Sequence, residues 1–156
     1  MKENNSWSAT KSLLVVFNYE NDDQLKIFRK SLDKILNTSN VKRLIIIVNI
    51  GKDVDKKNLP PHFLIYYCSP TDFSFWGKLK DVQLQKELST DFDLLIWFGD
   101  INRPIFKNVK SAKIKRKITV NAVDKTCDLL LNTESTDPNE ITNFVIQNLQ
   151  KIAIYE

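Results

Sequence analysis

Residues 91–100 read DFDLLIWFGD, an apolar run held between acidic ends and closed by Gly99. Leu94, Leu95, Ile96, Trp97 and Phe98 leave no polar face on a period-two element, the pattern of a strand covered by helices on both sides of its sheet. A buried helix produces the same run, but polar residues bracket this one within about eight positions, where a helix usually needs about ten or more. Ligands of open α/β sheets bind beyond the carboxyl ends of the strands. Gly99, Asp100, Asn102 and Arg103 therefore mark the place where chemistry is expected.

Working toward the amino terminus, residues 13–17 and 44–50 carry the same buried-strand signature. Between them Leu25, Phe28, Leu32, Ile35 and Leu36 recur at helical spacing behind a cap at Asn21 or Asp22, which completes a β-α-β unit. Residues 63–68 read as a third, aromatic-rich strand ended by Ser69, Pro70, Thr71 and Asp72. Phe73, Phe75 and Trp76 then crowd a loop before Gly77, and a helix over about 81–89 leads back to the opening stretch. Beyond it, Pro104 suits the first turn of a helix with Ile105, Val109 and Ala112 inward. Ile114, Ile118 and Val120 alternate with Lys115, Lys117 and Thr119, so this strand has one wet face and belongs near an edge; Arg116 breaks its apolar side. Residues 128–132 form the last strand. Asp137, Pro138 and Glu140 make a capping box for a carboxyl-terminal helix with Ile141, Phe144, Val145, Leu149 and Ile152 inward.

This succession predicts a three-layer, Rossmann-like α/β domain over residues 12–156, with a mainly parallel sheet of five or six strands and helices on both faces. Residues 1–11 are polar and are expected as a flexible tail. A chain of 156 residues with 42% hydrophobic and 27% charged residues has the composition of one globular domain with its own core. Its apolar runs are far short of the roughly 20 residues that cross a bilayer, and MKENNSWSATKS has no secretory core, so a cytoplasmic protein with no membrane partner is expected.

Several chemistries lack raw material. His62 is the sole histidine, and Cys68 and Cys127 are the only cysteines, read as reduced thiols; a zinc site or a Cys-His pair is not expected. The three glycines, Gly51, Gly77 and Gly99, are too scattered for the clustered loops that bring backbone N–H groups to phosphate, so no nucleotide cofactor is expected. Neither a metal nor any other cofactor is assigned.

Three groups of residues remain as candidates. Asn18, Asp72, Gly99, Asp100, Asn102 and Arg103 fall at strand ends and can form a polar crevice for an anionic metabolite; the plainer reading is that they cap helices and turn loops. Lys107, Lys110, Lys113, Lys115, Arg116 and Lys117 place six positive charges in eleven residues without an acid, against a net charge of +4 for the chain. That run can grip nucleic acid or another polyanion, but lysines on an exposed strand more commonly solvate it and protect its edge, so nucleic acid is not the expected partner. Phe73, Phe75 and Trp76 either plug the core or offer a stacking surface. A protein partner, or self-association through an edge strand, is compatible with all of this.

FNYEN, FSFWGKLK, FDLLIWF, SAKIKRKI, CDLLLN and NEITNFVIQNLQKI, in that order, resemble a bacterial domain family of uncharacterised function over roughly residues 12–153. That resemblance implies no activity and no catalytic residues. FDLLI, the proline-started helix, SAKIKRKI and DLLL are also similar to the acceptor-side half of heptosyl-type glycosyltransferases. Those enzymes bind the nucleotide sugar with a second Rossmann half, which this chain has no room for. The expectation is a non-catalytic binding or interaction domain, with a small enzyme or sensor for an anionic metabolite, or polyanion binding through the basic run, as alternatives.

Overall fold

The computed structural model describes residues 5–62 and 64–153. Six strands, β1 (Ser12–Asn18), β2 (Arg43–Asn49), β3 (Ile65–Cys68), β4 (Phe92–Phe98), β5 (Ile114–Val120) and β6 (Leu129–Leu131), form one sheet in the order β3-β2-β1-β4-β5-β6. Every neighbouring pair is parallel. The helices are α1 (Asp22–Thr38), α2 (Val82–Leu88), α3 (Phe106–Lys110) and α4 (Pro138–Gln150). This is the strand order of a Rossmann-like fold, and the expected three-layer α/β class holds.

The layers follow from the alternation of side chains across the sheet. On one face Leu13, Val15, Leu94 and Ile96 meet Leu25, Phe28 and Leu32 of α1 and Val145 and Leu149 of α4. On the other face Leu14, Val16, Leu95 and Trp97 meet Leu84 and Leu88 of α2 and Ile105 and Val109 near α3. Burial on both faces is what makes residues 94–98 apolar at every position. Among the described residues no helix is long and apolar enough to cross a membrane.

Several expectations change at the sheet's margins. The segment expected as a flexible tail is packed over residues 5–10: Trp7 is 6% exposed, and Asn5 bridges Ala153. Trp7 joins the core cluster with α1 and α4, and the Arg116 guanidinium donates to Ser6 Oγ at 2.7 Å, so the residue that broke the apolar pattern of β5 meets this segment. β5 lies near the edge as expected, with the short β6 pairing outside it. α3 begins at Phe106, after a turn through Pro104, and so is shorter than the proline-started helix expected. Asp137 caps α4 and Pro138 is its first residue, but Glu140 accepts from the Ser135 hydroxyl at 2.6 Å and closes no reciprocal box. Phe63, expected to open β3, lies outside the described residues.

The amino-terminal end of the sheet is tied by charge. Asp93 accepts the backbone N–H groups of Lys11 at 2.9 Å and Ser12 at 3.1 Å, and Lys115 lies 3.4 Å away. Burial works against ionisation of Asp93, but these donors outweigh it and hold its carboxyl below the ordinary 3.8. Because the folded-state value is the lower one, this carboxylate stabilises the fold above the unfolded value and loses that contribution as pH falls through the folded value. Replacing Asp93 by Ala leaves two backbone donors unmatched. The expected cost is about 1–3 kcal/mol in urea unfolding at pH 7, with the difference from wild type shrinking below about pH 4.

Candidate functional site: the crevice between β1 and β4

Strand order reverses between β1 and β4: from β1 the chain proceeds to β2 and β3 on one side, and β4 leads to β5 and β6 on the other. Loops leaving the two strands diverge there and open a crevice at the carboxyl ends. A cavity of about 290 Å³ occupies it, lined by Phe17 and Asn18 at the end of β1 and Glu20 after it, by Gly99, Asp100 and Arg103 after β4, and by Asn121, Thr136 and Ile141 from the β5 and α4 side.

Its floor is aromatic. Phe17 stacks on Phe28 with ring centres 4.0 Å apart, and Phe28 meets Phe98 edge-on at 5.9 Å. Above that floor a chain of carboxamides fixes the strand ends. Asn49, 3% exposed at the end of β2, donates to Asn18 Oδ1 at 3.0 Å, and Asn18 donates onward to the Asp100 carbonyl at 3.0 Å. That carbonyl also receives the Trp97 indole N–H at 3.0 Å. Both ends of the Asn18 amide are thus engaged inside the protein, which makes Asn18 a structural tie. Gly99 has φ +85°, where an L side chain is strained, and a Cβ there would sit 3.4 Å from Asn18 Nδ2.

Three charged side chains line the cavity: Glu20, Asp100 and Arg103. Asp100 Oδ1 accepts the Asn102 N–H at 2.9 Å, an Asx turn that leaves its other oxygen outward. Arg103 is different. Its Nε is buried and has no hydrogen-bond partner among the described residues. The Thr119 hydroxyl is also buried and unpartnered, but Thr119 is 0% exposed and does not line the cavity, whereas Arg103 opens onto it.

Of the strand-end residues expected to form a site, Asn18, Gly99, Asp100 and Arg103 come together here. Asn102 contributes its backbone to the Asp100 turn but does not line the cavity. Asp72 lies apart, beyond β3, where its carboxylate accepts Lys56 Nζ at 2.6 Å and the Ser69 N–H at 2.7 Å. Burial opposes its ionisation, and those bonds outweigh it and lower its pKa.

The side chains of the basic run have different local partners. Lys115 faces Asp93, Arg116 reaches Ser6, Lys117 donates to the Lys110 carbonyl at 2.6 Å, and the Lys110 ammonium sits 5.9 Å from the Phe106 ring centre. Lys107 and Lys113 are exposed. The aromatic group divides as well: Phe73 packs against the core under α2, while Phe75 and Trp76 are 93% and 89% exposed. They follow β3, an edge strand of the sheet, whereas the basic run ends on β5 on the other side of β1 and β4. Cys68 and Cys127 are free thiols, raised by burial to about 12 and about 11.

Phe17, Glu20, Asn49, Asn121 and Thr136 were not anticipated in this crevice. One signal pointed to part of the set: the apolar runs end in asparagine at Asn18, Asn49, Asn121 and Asn132. Asn121 takes φ +59° and accepts the Thr133 N–H at 2.8 Å, so it too ties a strand end to a crossing loop.

The match to known families assigns no activity. A family model described as a family of unknown function, DUF6913, matches residues 1–152. The chain belongs to that family. No curated protein matches it.

Within this family member the carboxamide chain is expected to matter more to stability than its exposure suggests. Asn49→Ala strands the Asn18 carbonyl oxygen, with an expected loss of about 1–3 kcal/mol in chemical denaturation. Gly99→Ala should cost about 1–2 kcal/mol from backbone strain, whereas Arg103→Met, which removes an unmatched polar atom, should leave the melting temperature unchanged or raised.

Proposed function

We propose that the protein is a binding domain for a small polar ligand seated over the carboxyl ends of β1 and β4. The observation that carries this reading is Arg103: a guanidinium with a buried, unmatched Nε, facing a cavity at the switch point of the sheet. An unmatched buried donor costs about 1–3 kcal/mol. That Nε is closed to solvent, so a carboxylate or phosphate on a ligand meets Arg103 through the terminal guanidinium nitrogens, whose planar fork of donors suits such groups.

Size and charge narrow the ligand. A cavity of about 290 Å³ lies at the small end of ligand pockets, enough for a metabolite and too small for a dinucleotide. The scattered glycines favour the same conclusion. With Glu20 and Asp100 on the rim beside the single cation, a ligand with several negative charges meets repulsion. One acidic group toward Arg103, with an amine or hydroxyls toward the carboxylates, fits the lining better.

Binding without turnover is the favoured reading: Glu20 and Asp100 are the candidate bases of the lining, and no histidine, cysteine or lysine lines the cavity beside them to complete a nucleophile-base pair. The two free thiols support a reducing, cytoplasmic setting. Polyanion binding is less favoured, since four of the six basic residues are engaged with different local partners.

A thermal-shift screen of small carboxylates, amino acids and phosphorylated metabolites tests the proposal. At least one compound is expected to raise the melting temperature, and Arg103→Ala is expected to abolish that rise while keeping the fold. A rise of equal size in the Arg103→Ala protein, or steady consumption of the bound compound, would count against the reading.

A further inference from the structure

From the aromatic loop after β3 we infer that this protein docks, by a hairpin tip, on the interface of an anionic lipid bilayer. Phe73 and Leu79 pair as an antiparallel bridge, and both are anchored in the core beneath α2. Between them the Ser74 N–H donates to the Lys78 carbonyl at 2.7 Å, and the Gly77 N–H to the Ser74 carbonyl at 2.9 Å. The Ser74 hydroxyl accepts the Lys78 N–H at 3.0 Å, and Gly77 supplies the positive φ of +80° that the reversal needs. The loop is therefore a built hairpin, and what it presents is Phe75 and Trp76, 93% and 89% exposed, their rings edge to face at 5.3 Å.

Holding two large rings in water on an ordered support is unfavourable without a partner. The partner's chemistry is indicated by the neighbours. Lys78 and Lys80 are exposed, and neither ammonium is paired with a carboxylate among the described residues. Of the two acids flanking the hairpin, Asp72 is paired with Lys56, and Asp81, which accepts the Leu84 N–H as the cap of α2, keeps its charge but is outnumbered by Lys78 and Lys80. The tip is thus aromatic and basic, the combination that settles at the headgroup level of anionic membranes. A surface contact of this kind requires no spanning helix.

Area favours a bilayer over a protein partner. Two such rings offer about 150–250 Å² each, well below the roughly 800 Å² per partner of a stable protein interface. A convex tip also needs a matching hollow on a protein, whereas a lipid interface adapts to it.

Trp76 supplies its own probe, because the other two tryptophans, Trp7 and Trp97, are buried. The full-length protein is mixed with vesicles of equal parts phosphatidylcholine and phosphatidylserine, and with vesicles of phosphatidylcholine alone. With the anionic vesicles, a blue shift of tryptophan emission and co-sedimentation are expected, weakening as salt rises. Phe75→Ser with Trp76→Ser should lower the bound fraction more than about tenfold, and Lys78→Gln with Lys80→Gln should weaken binding to anionic vesicles by more than about tenfold. Unchanged circular dichroism and melting of these surface variants keeps the comparison sound. No shift and no sedimentation with anionic vesicles would overturn the inference, as would equal binding by the Phe75→Ser, Trp76→Ser protein. A blue shift without vesicles, accompanied by doubling of the mass in solution, would place the tip in a second copy and also overturn it.

Discussion

The contact on which the rest of this structure depends is the pairing of β1 with β4, Leu13 to Leu94 through Val16 to Trp97. These strands lie side by side although the chain has passed through β2 and β3 between them. Because all the pairs are parallel, each connection must cross over a face of the sheet, and successive crossovers on either side of this pair leave it in different directions. The result is a sheet covered on both faces whose centre carries its most buried strands. Trp97, Leu13, Leu14 and Val16 are 0–1% exposed. The same divergence leaves a gap in the loops above the strand ends. Core and crevice are two consequences of one pairing.

The crevice stays open because its walls are held by polar ties and not by apolar packing. Asn49, Asn18 and the Asp100 carbonyl form a continuous hydrogen-bonded line across the ends of β2, β1 and β4. The Gly99 N–H adds a bond to the Val120 carbonyl of β5 at 2.9 Å. Short carboxamides can do this because each offers a donor and an acceptor a fixed distance apart. A larger apolar residue at Asn18 would fill the space that Phe17, Gly99 and Arg103 line.

The fold was legible in the sequence because two-sided burial writes itself as uninterrupted apolar runs, as at residues 13–17, 44–48 and 94–98. The margins were less legible. Residues 5–10 read as a polar tail because only Trp7 signals burial there, and its partners, α1 and α4, lie elsewhere in the chain. Arg116 read as a break in β5 because its partner, Ser6, is distant in sequence. The site divides the same way. Gly99, Asp100 and Arg103 were found from a rule about strand ends, whereas Glu20 and Thr136 reach the crevice only through the positions of α1 and α4, which no local pattern encodes.

The distribution of satisfied and unsatisfied groups along the strands separates the two ends of the sheet. At the amino-terminal end the charges are matched. Arg43 donates to Glu87 at 2.6 Å and Thr90 at 2.6 Å and lies over the Phe92 ring, Asp93 gathers two backbone donors, and Arg116 is met by Ser6. At the carboxyl-terminal end stand a buried guanidinium nitrogen without a partner and two bare aromatic rings. Stability alone favours matching such groups or replacing them, since unmatched donors and exposed rings both raise the free energy of the folded state. The chain does so at the amino-terminal end, whereas at the carboxyl-terminal end matched groups, Asn18 with Asn49 and Asp72 with Lys56, stand beside these unmatched ones. That asymmetry coincides with the end where sheets of this topology hold ligands, and it is the ground for the binding reading proposed above.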